Sequence, residues 1–160
     1  MRTSTLAKEI KKRNPFESPQ QEAFLNLMRT SAALAAPFER MFREHGFCGT
    51  HFNILRILAG EKAAGVDGLP ALEVRDRLIT PVPDITRLVD KLVDQGLVQR
   101  LRTEEDRRVV LLKLTADGRK LVERLSQPLG EMHRQQLAHM SREELSTLTA
   151  LLEKARSAPN

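Results

Sequence analysis

Apolar residues recur along this chain in two rhythms, one of 3.6 and one of 2, and the elements can be read from where the rhythm changes. Between residues 24 and 42 they fall at Phe24, Leu27, Met28, Leu34, Phe38, Met41 and Phe42, a spacing that predicts one long helix ending near His45. Its start lies in Ser18-Pro19-Gln20-Gln21: serine at the N-cap, proline at the first helical position, and glutamine three residues after the cap. Pro37 is expected to bend it. A second helix is predicted over 49–60, with Phe52, Leu55 and Leu58 on its apolar side. The stretch GEKAAGVDGLP (60–70) reads as a flexible connector. Pro70 then opens a short third helix carrying Leu72, Val74 and Leu78.

The fourth helix is predicted to begin with Thr80 as N-cap and Pro81 at its first position. Ile85, Leu88, Val89, Leu92 and Val93 follow at i, i+3, i+4, i+7 and i+8, an apolar stripe for a core. Pro83, Arg87, Asp90 and Asp94 lie opposite, flanked by Asp84, Thr86 and Lys91, and Gly96 is the expected stop. Two strands are predicted, 98–102 and 109–114, around a charged tip, RTEEDRR. Thr115 caps a fifth helix, expected to be interrupted or kinked at SQPLG (126–130). Ser141 and Glu144 form a capping box ahead of Leu145, Leu148, Leu151 and Leu152. Two short helices joined by a turn and followed by a charged hairpin describe a winged helix-turn-helix. The fold class is therefore mainly α, with a two-stranded wing and further helices at both ends. The fourth helix would be the recognition helix and the 102–108 loop the wing. A hairpin tip with this much charge suits contact with phosphate.

Composition narrows the partner. With 41% hydrophobic and 29% charged residues the 160-residue chain reads as folded and soluble. It lacks the roughly 18-residue apolar run of a membrane span, and it lacks a signal-peptide core, so a cytoplasmic location is expected. The net charge of +5 is concentrated at the N-terminus, where Arg2, Lys8, Lys11, Lys12 and Arg13 face only Glu9. That arm is expected to be mobile and to add affinity for DNA without sequence preference. The body is nearly neutral, so binding of a polyanion there needs a local patch. All six phenylalanines lie within residues 16–52 and there is no Trp or Tyr, which argues against stacking on single-stranded nucleic acid. Neither a nucleophile–base arrangement nor a phosphate-cradling glycine loop is present, so no enzyme activity and no cofactor are expected. His45, His51, His133 and His139 are not spaced as metal ligands, and no metal is expected.

ITRLVDKLVDQGLVQR (85–100) and DRRVVLLKLTADG (106–118) resemble the recognition helix and wing of the MarR (multiple antibiotic resistance regulator) family. HFNILRIL (51–58) and the terminal helices fit the same order. The resemblance implies a homodimer on pseudo-palindromic duplex DNA, controlled by a small phenolic or carboxylate effector or by thiol oxidation. The expected function is a transcriptional regulator, a repressor released by its effector. The resemblance also implies a division into a basic arm (1–17), a DNA-binding region (47–118) and a dimerisation region (18–46 and 119–160).

From the residues, Pro83, Thr86, Arg87 and Lys91 are expected where a recognition helix meets the major groove, with Arg87 able to pair bidentately with guanine. Arg102 and Arg107 are expected to contact phosphates. The resemblance implies that Arg108 enters the minor groove, oriented by Asp106, where a narrow groove attracts arginine. It also places an effector pocket along the second helix, where His51 and Arg56 are candidates to meet a carboxylate or phenolate. Asp84 stays open between favouring the helix N-terminus and accepting from a base. Cys48 sits just before the second helix, but the resemblance puts the family's sensing cysteine elsewhere, and an inert residue is the expectation. The alternative function is a winged helix used for protein–protein interaction, with no DNA of its own.

Overall fold

The computed structural model describes residues 5–102 and 110–157. Contacts divide the chain into two compact units, 1–49 and 50–160.

The first unit holds α1 (Thr5–Glu9) and α2 (Pro19–Glu44). α1 was not anticipated. It is five residues long, too short for periodicity to show, yet Leu6 is only 3% exposed and Arg29 of α2 pairs with Glu9 at 3.6 Å. α2 starts as its sequence predicts. Ser18 Oγ accepts the Gln21 N–H at 3.1 Å, while the Gln21 side chain accepts from Glu17 N–H rather than from the cap residue. The helix runs on through Pro37 to a C-cap at His45. Of its stripe only Phe42 is buried; Phe24, Leu27 and Met28 stand exposed.

The second unit contains α3 (Gly49–Ala63), β1 (Leu69–Pro70), α4 (Ala71–Asp76), α5 (Thr86–Asp94), β2 (Val98–Arg102), β3 (Val110–Leu114), α6 (Ala116–Gln136) and α7 (Arg142–Arg156). The connector expected over 60–70 is shorter than predicted. α3 continues to Ala63, and Leu69–Pro70 form a strand pairing with β3, so the sheet has three strands in the order β1-β3-β2. A two-residue strand has no alternation to read, but Leu69 is buried opposite Leu112. Gly68, at φ +135°, permits the approach: a Cβ there would sit 3.1 Å from the Leu112 carbonyl oxygen. Asp67 accepts from Lys62 of α3 and Lys113 of β3, tying the loop to the sheet.

The core of this unit is built from Phe52, Ile54, Leu55 and Leu58 of α3, Val74 of α4, Val89 and Leu92 of α5, Leu112 of β3, and Leu121, Val122, Leu125 and Leu129 of α6. The last four explain why α6 is not interrupted at SQPLG. A proline inside a helix costs about 3 kcal/mol, whereas each buried leucine contributes about 1.5–3 kcal/mol, and Leu125 and Leu129 flank Pro128 on the buried side. α7 opens on the expected capping box, Ser141 Oγ accepting from Glu144 N–H at 3.2 Å and Glu144 Oε2 from Ser141 N–H at 2.8 Å. None of its residues is buried, and Leu151 is 59% exposed.

Hydrogen bonds hold four carboxyls below their ordinary range: Asp67 by Lys113 and then Lys62, Asp84 by Thr86, Glu131 by Arg134 and then Gln135, and Glu144 by Ser141. Each group is depressed in the folded state. Its stabilisation is therefore complete above the unfolded values of 3.8 for Asp and 4.5 for Glu, and fades as pH falls through the folded values. Thermal melting should be flat from pH 7 to about 5 as far as these groups are concerned, and fall steadily below. A melting temperature that held to pH 3 would contradict this.

Candidate nucleic-acid interface

The surface built by α5 and the β2–β3 hairpin is assembled from three local features. The first is the start of α5. The predicted start at Thr80–Pro81 is wrong: residues 79–85 form a loop and the helix begins at Thr86. Val82 precedes Pro83, and a residue before proline is disfavoured in the helical region. Between Leu78 and Ile85 no residue is buried, so nothing offsets that cost as Leu125 and Leu129 do at Pro128. Asp84 supplies the start instead. Its Oδ1 accepts the Thr86 N–H at 2.8 Å, and hydrogen bonding from Thr86, aided by the charge of Arg87, holds its carboxyl below the usual range. That resolves its open role in favour of the helix N-terminus. The preceding loop is held at its far end by Ile79 N–H donating to Asn53 Oδ1 of α3 at 2.9 Å.

The second feature is the end of α5. Gly96, at φ +70°, lets Gly96 N–H reach Val93 O at 2.8 Å and Leu97 N–H reach Leu92 O at 2.9 Å. This is the paired closure of a glycine-terminated helix. It turns the chain directly into β2. Thr115 and Gly118 close onto this turn. Thr115 Oγ1 donates to Gly96 O at 2.8 Å and accepts from Gly118 N–H at 3.0 Å, while Thr115 N–H donates to Leu97 O at 3.1 Å. A Cβ on Gly118 would lie 2.2 Å from Leu97 O. The Leu-Thr-x-x-Gly stretch is thus a junction between α5 and α6 that only glycine fits.

The third feature is the hairpin. Val98 pairs with Leu114, Arg100 with Leu112 and Arg102 with Val110. Side chains alternate across a sheet, so Arg100 and Arg102 share the face of buried Val98, on which α5 packs. Arg100 Nη1 donates to Asp90 Oδ1 of α5 at 2.5 Å. Neither partner of this pair was singled out for a role from the sequence. The alternation Val98–Arg100–Arg102 was the available signal.

Of the candidates, Pro83 is exposed in the loop before α5 rather than on the helix, and Thr86, Arg87 and Lys91 are exposed on α5. Ile85, Val89 and Leu92 are buried on its other side. Arg102 is exposed at the end of β2. Asp106, Arg107 and Arg108 lie outside the described residues. His51 and Arg56 are not brought together. Five positions apart on α3, they point about 140° apart around its axis, and His51 is buried while Arg56 is exposed. Cys48 is half-buried just before α3. Among the described residues no group of His, Cys, Asp or Glu is arranged to hold a metal, and no helix is long and apolar enough to cross a membrane.

Comparison with known proteins bears on the same region. The model of the family described as transcriptional regulator SarA/Rot matches residues 38–125. The multiple antibiotic resistance protein MarR of Salmonella typhimurium is 31% identical over 100 residues, covering 62% of this chain and 68% of that protein. The homoprotocatechuate degradative operon repressor of Escherichia coli is 28% identical over 131 residues, covering 80% and 83%. Among solved structures, a MarR transcription factor from Planctomyces limnophilus is 40% identical with a TM-score of 0.65, covering 87% of this chain and 98% of that one. On these likenesses the chain belongs to the MarR family of winged-helix transcriptional regulators.

Proposed function

We propose that this regulator acts as a homodimer that represses transcription by binding a pseudo-palindromic duplex, one α5 helix in the major groove of each half-site. The observation that carries this reading is the exposed Thr86–Arg87–Lys91 surface of α5 beside Arg100 and Arg102 on the hairpin. It is a local basic patch on a body with little net charge, which is what binding of a polyanion requires. Arg87 would read guanine, Thr86 a base or phosphate, and Lys91 and Arg102 phosphates. By resemblance to the family, Arg107 would contact phosphate and Arg108, oriented by Asp106, the minor groove.

Dimerisation is supported by apolar surface without cover. Phe24 is 60% and Met28 55% exposed on α2, and Leu148 and Leu151 are exposed on α7. These stripes belong to residues 18–46 and 119–160, which would pair the two copies while 47–118 reads DNA and the basic arm, 1–17, adds charge. Large uncovered apolar faces of this kind mark association sites. Repression would be relieved by a small phenolic or carboxylate effector met by His51 or Arg56 on α3, and the protein would act in the cytoplasm, where its operator is.

Selection from a random duplex pool, followed by sedimentation of the protein with and without the selected sequence, tests the reading. A stable dimer is expected at micromolar concentration, binding one duplex whose half-sites lie about one helical turn apart. A stable monomer would remove the dimer. Failure to enrich any duplex would leave a winged helix used for protein–protein interaction.

A further inference from the structure

Asp90 is a difficulty for a helix that meets DNA. At about 100° per residue it falls around the α5 axis between Thr86 and Arg87, within the exposed face. Its side chain is 48% exposed. A bare carboxylate there would repel the phosphates that Lys91 and Arg87 attract.

The hairpin removes that charge. Arg100 stands opposite Leu112, on the sheet face against which α5 packs, and its Nη1 lies 2.5 Å from Asp90 Oδ1. The Arg100 side chain is itself 37% exposed, so the pair is open to solvent at the seam between the helix and β2. An exposed pair of this kind contributes little to folding. What it changes is the local field: the carboxylate is neutralised where a polyanion would dock, and the remaining guanidinium N–H groups are left as donors. Asp90 and Arg100 are joined across ten residues of sequence, through the Gly96 turn, so the same turn that ends α5 brings the compensating charge to it.

We propose that Arg100 is a masking residue, which neutralises Asp90 within the reading face and so sets the affinity of that face for duplex phosphate. The inference rests on the DNA-binding function proposed above. The test is a charge-rescue cycle on the full-length protein, measured by fluorescence anisotropy on the selected duplex and on a scrambled one at one fixed salt concentration. Arg100→Ala should weaken both duplexes by about tenfold. Asp90→Asn alone should bind at least as tightly as the wild type. The double variant should recover to within about threefold of the wild type, and Arg100→Lys, which keeps the charge, should retain most of the binding. Melting curves of all four variants identify any loss of fold, and Asp90→Asn and Arg100→Lys test the idea even if Arg100→Ala unfolds.

A double variant as weak as Arg100→Ala would mean that Arg100 acts on phosphate directly, and the masking role would fall. So would Arg100→Ala binding as the wild type does. Failure of the wild type to bind any duplex, by contrast, would overturn the DNA function itself.

Discussion

Replacing Gly118 with alanine should lower the stability of the protein by about 3 kcal/mol, which for a chain of this size moves the melting temperature down by about 6–12 °C. The added methyl would meet the Leu97 carbonyl oxygen at 2.2 Å and Leu114 Cδ1 at 2.7 Å. Leu97 O is backbone, and it already accepts from Thr115 N–H, so it cannot withdraw without opening the junction between α5 and α6. Under the proposed function the effect should reach DNA binding, because the turn that would have to move is the one that ends α5. Gly130 supplies the contrast. It lies in the same helix, but a Cβ there would find only Arg134 Nη1 at 3.6 Å. With space available, helix propensity decides, and Gly130→Ala should stabilise by up to about 1 kcal/mol. Calorimetry on the two variants checks both signs. Equal melting temperatures would mean that the junction is looser than its distances imply.

Arg87→Ala should cost about 1–3 kcal/mol of operator affinity, concentrated at one base pair in each half-site, with folding unchanged. Arg87 is exposed on α5, one residue after its Asp84-held start, and under the proposed function a planar, bidentate donor at that place would read guanine. Lys91→Ala should behave differently, weakening all duplexes alike and making the salt dependence shallower by about one unit of slope. Competition binding with single-base operator variants separates the two. If Arg87→Ala weakened every sequence equally, its contact would be with phosphate and the base reader would have to be sought elsewhere on the face.

Much of the architecture was legible without coordinates because it depends on short-range chemistry. The Ser18 and Ser141 caps, the stop at Gly96, and the burial of Ile85, Val89 and Leu92 follow from residue type and helical period alone. The resemblance in 85–118 identified the family, and its Thr115 and Gly118 have a physical reason in the closed junction. Even the late start of α5 was written in the chain, since Val82 before Pro83 disfavours helix, but Thr80–Pro81 offered an equally good local signal further upstream. Two compatible start signals, at Thr80 and Asp84, cannot be ranked from local preference.

Tertiary structure decided what depends on partners distant in sequence. β1 exists because Leu69 meets Leu112, 43 residues on, and α6 passes Pro128 because Leu125 and Leu129 find a core. His51 and Arg56 were both candidates in sequence, and the turn of their helix sets one in the interior and one outside. Sequence alone named no partner for Asp90 on the polar side of α5; the hairpin brings Arg100 to it. Caps, stops and stripes are settled by the few residues around them, so sequence alone determined them. Strand partners, buried prolines and ion pairs across a turn depend on which surfaces meet, and only the folded chain decides that.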